Sequence, residues 1–99
     1  MINDILQIAS TGMVAAASAV DIHANNIANA ATQDYAAQAA VFSPLVTGGV
    51  AVFAQETGAG PNPVADMLGM IIAANQYQAA ASLVPTGLDL NATLLQTVA

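Results

Sequence analysis

The chain has 99 residues, with no Lys, no Arg, no Cys, six acids and one His, for a formal net charge of −6. Without cations it cannot neutralise phosphates or hold a nucleotide with a Walker lysine, which excludes nucleic-acid binding, NTP hydrolysis and attraction to anionic lipid. Without Cys it has neither disulfides nor a thiolate. The hydrophobic fraction is 57% with only 6% charged, against about a quarter charged in ordinary soluble domains. A chain this short buries about 60–65% of its unfolded surface. Its apolar excess must therefore be covered by something else, and other copies of the chain are the better candidate than a membrane. Met67 to Leu88 is uncharged but interrupted by Asn75, Gln76, Gln78, Ser82, Pro85 and Gly87. Ile5 to Val20 resembles a signal-peptide core, but Asp4 stands where a basic residue should precede it. The expectation is no membrane insertion.

The first segment, residues 1–32, reads as a helix to about Ala31. Ile2, Leu6, Ala9, Met13, Ala16, Val20, His23 and Ile27 recur at alternating steps of four and three, a heptad seam. Asn3 can cap the first turn, and Asp4 favours its positive end. Ile5, Ile8, Val14 and Ile22 lie off the seam, more than one partner helix would bury.

Residues 33–62 change character. Val41, Phe42, Val50, Val52 and Phe53 favour strands. Ser43-Pro44 and Thr47-Gly48-Gly49 supply turn chemistry. This predicts a β-hairpin with strands near Ala37–Phe42 and Val50–Gln55, followed by a Gly/Pro linker at Gly58, Gly60, Pro61 and Pro63.

Residues 63–99 read as a second helix. Asn62 is a good N-cap, Pro63 suits the first helical position, and Asp66 favours the dipole. The predicted seam is Met67, Ile71, Ala74, Gln78, Ala81, Val84, Leu88, Asn91, Leu95 and Val98. Leu68, Ile72, Leu83, Leu90 and Leu94 lie off it. A kink is expected near Pro85, and Gly87 is expected to loosen the helix. The expected fold is mainly α, a single domain spanning 1–99. It is an antiparallel pair of long helices of matched length, joined by the hairpin and linker.

Two stretches are more specific. Ser10-Thr11-Gly12-Met13, Val20-Asp21-Ile22-His23-Ala24-Asn25-Asn26-Ile27-Ala28-Asn29-Ala30, Thr32 and Tyr35 form the first. Pro61-Asn62-Pro63-Val64-Ala65-Asp66-Met67, Met70-Ile71 and Gln76-Tyr77 form the second. Together they resemble the bacterial flagellar basal-body rod and hook (axial) family, nearest to its proximal rod proteins. Val41-Phe42-Ser43-Pro44-Leu45 and Gly48-Gly49-Val50 extend the resemblance. Asp34 stands where that pattern has Gly, and Asp tolerates left-handed backbone better than most residues.

The resemblance implies a structural, non-enzymatic subunit that self-assembles into a hollow helical rod or filament. Its partners would be further copies of itself, or other flagellar axial proteins. It also implies type III export without a cleaved signal. Two locations fit, the periplasmic rod of the flagellar basal body and an extracellular filament. The residues expected to serve self-assembly are Gly12, Met13, Val20, Asn25, Asn26, Ile27, Asn29, Met67, Ile71, Tyr77, Leu88 and Leu95. Asn25, Asn26 and Asn29 would fix register through amides that both donate and accept, although Asn29 could equally serve as a C-terminal cap. Gly12 would allow close approach of helices in the assembly. Phe42, Tyr35 and Phe53 would be outer contacts. His23 is expected to be a hydrogen-bonded packing residue, since no acid shares its helix face. Asp66 is expected to serve its helix start. No catalytic, metal or cofactor site can be argued. The rival reading is a small adaptor or export-associated module that binds one heterologous helix, which would need only one apolar face.

Overall fold

The computed structural model describes residues 2–98, and the side chains of residues 5–97. The expected roles of Asn3 and Asp4, and the seam side chains of Ile2 and Val98, lie outside the described side chains. The order is α1 (Ile2–Ala28), β1 (Gln38–Pro44), β2 (Val50–Glu56) and α2 (Pro63–Val98). The strands pair antiparallel from Gln38 opposite Glu56 to Pro44 opposite Val50. Gly48 and Gly49, at φ of 93° and 96°, make the turn between them. Asp34 sits at φ 63°, the left-handed geometry expected of it.

α1 stops at Ala28, short of the predicted Ala31, and tight turns follow: Ala30 N–H donates to the Ile27 carbonyl and Thr32 N–H to that of Asn29. At the start of α2, the Asn62 side chain accepts from Ala65 N–H at 3.2 Å. Pro63 opens the helix, as predicted. α2 is helical through Pro85, so the proline does not end it.

The helices are antiparallel but not matched. At 1.5 Å per residue, 27 and 36 residues make about 40 and 54 Å. Leu6 packs on Gly87, Gly12 meets Ala80, His23 covers Gly69 and Asn26 meets Asp66. This constant offset sets the start of α1 opposite about residue 90 of α2. The last two turns of α2 thus overhang, with Leu94 and Leu95 exposed.

α1 buries two stripes. Ala9 and Ala16, with half-buried Leu6, Met13, Val20, His23 and Ile27, form the predicted seam. Ala15, Ala19, Ile22 and Asn26 form the second. α1 packs against α2 and against both strands, whereas the backbone of α2 makes no close approach to either strand.

The predicted α2 seam is largely rotated from the real one, although its Ala81 and Val84 are half-buried. Met67, Ile71, Leu88 and Leu95 are more than half exposed, and Ala74, Gln78 and Asn91 are exposed too. The packed face is Asp66, Gly69, Met70, Ala73, Ala80, Val84 and Gly87. Gly87 does not loosen the helix. It is buried, and a Cβ there would lie 2.7 Å from Leu6 Cδ2. Large apolar residues occur all round α2, so their period does not select a face. The small residues select it, because only they let two backbones approach closely.

The core is accordingly small. It holds Ala9, Ala15, Ala16, Ala19, Ile22, Ala37 and Ala73, while Val14, Phe53, Leu68 and Ile72 remain at least half exposed. The molecule extends 64 × 24 × 13 Å. Its accessible surface is 6528 Å², against about 5,200 Å² for a compact monomer of its mass.

Within α1, Ile5–Ala28 has a mean hydropathy of 1.5 and is long and apolar enough to cross a bilayer by length and composition. In this fold it lies against α2 and the hairpin, with Asn26 and His23 on its packed side.

Candidate assembly interface

The base of the hairpin, the end of α1 and the start of α2 meet in a polar node. Asn26 is 1% exposed and spends its whole amide there. Its Nδ2 donates to the Gln38 carbonyl at 2.7 Å, and its Oδ1 accepts from Gln38 N–H at 2.9 Å. It therefore bonds the first residue of β1 as a neighbouring strand would. Nδ2 also donates to Asp66 Oδ1 at 3.0 Å. His23 Nδ1 lies 2.8 Å from the same oxygen, and its ring covers Gly69. An ionised carboxylate only accepts, so Nδ1 carries the proton in this contact.

This places the asparagines differently from one another. Asn26 ties α1, β1 and α2 together inside one subunit, so any contribution to assembly passes through the subunit's own fold. Asn29 Nδ2 donates to the Asn25 carbonyl at 2.9 Å, and its Oδ1 accepts from Thr32. It closes the end of α1, as the capping alternative has it. Asn25 is exposed.

His23 is a hydrogen-bonded packing residue, as expected, but its partner comes from the other helix. Asp66 does more than favour a helix start, since it is buried and holds both His23 and Asn26. Sequence reasoning missed this node, and also Thr11. The Thr11 hydroxyl accepts from Val50 N–H at 3.2 Å and donates to the Ile8 carbonyl at 2.7 Å. Its side chain fills the space that a Cβ on Gly49 would need. The tip of the hairpin is thus seated on α1 at Thr11, and its base at Asn26.

The remaining predicted residues divide by exposure. Gly12 makes its close approach within the subunit, where a Cβ would lie 3.5 Å from Ala80 Cβ. Met13, Val20 and Ile27 are half-buried along the α1 seam. Met67, Ile71, Tyr77, Leu88 and Leu95 are exposed, as are Phe42 and Phe53, while Tyr35 is half-buried. Among the described residues, no three acidic or histidine side chains gather as a metal site would require.

Fold and node together define a slender molecule: two antiparallel helices, a hairpin fastened at both ends, and large apolar side chains outside. Residues 6–35 match the model of the family described as flagella basal body rod protein. The resemblance to that family is thus supported, over the segment that carries Thr11, Gly12, His23, Asn26 and Asn29. The family is a structural one. No curated protein matches the chain.

Proposed function

We propose that the chain is a non-catalytic structural subunit that self-associates into a helical tube of the flagellar-rod kind, at the basal body or as an extracellular filament. The observation that carries this reading is the inverted distribution of apolar residues. Alanine fills the core, and Leu, Ile, Met and Phe lie outside. Fully burying one such large side chain contributes about 1.5–3 kcal/mol, so the stabilisation left unused by the monomer becomes available on association. By 100° per residue, the exposed apolar residues of α2 lie on both flanks of its packed stripe: Leu88 and Leu95 on one, Leu68, Ile72 and Leu94 on the other. An adaptor for one helix needs one such face, whereas a subunit surrounded by neighbours needs several. The match over residues 6–35 supports the flagellar setting, and type III export follows from that setting.

Sedimentation and negative-stain electron microscopy of the purified protein, with a chelator present, test the proposal. Tubular polymers should form without metal or cofactor. A monomer that persists at high concentration with both helices formed would overturn it.

A further inference from the structure

In an antiparallel pair, successive residues turn their N–H and C=O groups alternately toward the partner strand and away from it. Here the phase is given by Gln38. Both of its backbone groups bond the Asn26 amide, so they point away from β2. Ala40 and Phe42 follow with the same orientation. Opposite them, Ala54 and Val52 point outward from β2. At the tip, Val50 N–H also points outward, and Thr11 takes it. α1 therefore crosses beneath the ribbon diagonally. It closes the outer edge of β1 at the base through Asn26, and the outer edge of β2 at the tip through Thr11.

Between these closures each edge keeps an open window. On β1 it is Ala40 and Phe42; on β2 it is Val52 and Ala54. The two windows are level, since Ala40 pairs with Ala54 and Phe42 with Val52. Open grooves of about 380 and 340 Å³ run beside β1 and β2. Natural sheets guard such edges with charges or with a proline on the edge. This ribbon carries no charge from Gln38 to Gln55, and its one proline, Pro44, lies beyond the window, level with the Val50 that Thr11 already satisfies.

We propose that the β1 window of one copy pairs with the β2 window of the next, extending the ribbon into a continuous antiparallel sheet across subunits. This rests on the polymer reading and specifies one of its contacts. The occupant is a second copy for two reasons. The open groups of one edge match those of the other in number and level without any shift along the strands. The stretch from Gln38 to Gln55 is also free of charge on a chain of −6, so like chains can approach there. Two strands occupy about 9.6 Å, close to the 10–12 Å width of the helix that each copy carries beneath. Because the two edges differ, the contact is head-to-tail and leaves a free edge at each end for the next copy.

Hydrogen exchange on assembled wild-type protein is the first test. The amides of Ala40, Phe42, Val52 and Ala54 should exchange about tenfold slower or more than in dilute protein. A polymer in which these amides exchange as in the monomer overturns the inference and leaves the polymer standing. Protein that never assembles overturns both. The second test uses Ala40→Pro and Ala54→Pro, which remove outward N–H groups that the hairpin itself does not use. Each alone should raise the critical concentration about tenfold, the loss expected from one or two hydrogen bonds. Mixed below the raised critical concentration of either, they should stop at heterodimers, because each retains one live edge of opposite kind. Dimers of either variant alone would mean that like edges pair, and unchanged polymerisation of both would remove the contact.

Discussion

At the scale of single residues, Asn26 carries the largest burden. Its three hydrogen bonds join three elements, and alanine there would leave both backbone groups of Gln38 without their partner and Asp66 with His23 alone. Losing three hydrogen bonds, one of them to a buried carboxylate, costs about 2–4 kcal/mol. Asn26→Ala should therefore lower stability by that amount in urea unfolding. Asn29→Ala removes only a local helix closure and should cost about 1 kcal/mol or less. Equal losses from the two would contradict the node. None of this arrangement was legible along the chain. Asn26 and Asp66 are 40 positions apart, and whether they meet depends on the register of two helices. The motif marked Asn25, Asn26 and Asn29 alike, whereas the structure gives each a different task. Asp34 was legible, because a left-handed position restricts the residue through local sterics alone.

At the scale of elements, the hairpin, the α2 start signal and the α1 seam were all readable, since each rests on neighbouring residues. The α2 seam was readable only at Ala81 and Val84. Met67, Ile71, Leu88 and Leu95 have a convincing period, yet they face outward, and Gly69, Ala73, Ala80 and Gly87 face α1. Small side chains carry little weight in a hydrophobic pattern but decide how near two backbones come. This makes a paired prediction. A Cβ at Gly69 would lie 2.5 Å from the His23 ring, whereas at Gly60 it would meet nothing within 4 Å. Gly69→Ala should cost about 1–3 kcal/mol by overpacking the helix interface, despite alanine's better helix propensity. Gly60→Ala should leave the midpoint of thermal unfolding nearly unchanged. If Gly69→Ala stabilises the protein, the helices do not approach there as described.

At the scale of the molecule, charge and shape act together. Every copy carries −6 and no Lys or Arg, so association brings like charges together with no Lys or Arg to offset them. Salt shortens the reach of that repulsion to about 8 Å at physiological strength, while apolar burial is barely weakened or is strengthened. The critical concentration should fall as sodium chloride rises at fixed pH. A rise would mean that bridging ions hold the copies together.

The account rests on a subunit that keeps its alanines inside and its large apolar residues for its neighbours. Electron microscopy of the purified protein at rising concentration tests that most directly. It should reveal hollow helical polymers above a threshold concentration, with a helical content no lower than in dilute solution. A folded, monodisperse species of single-subunit mass at every concentration would contradict it.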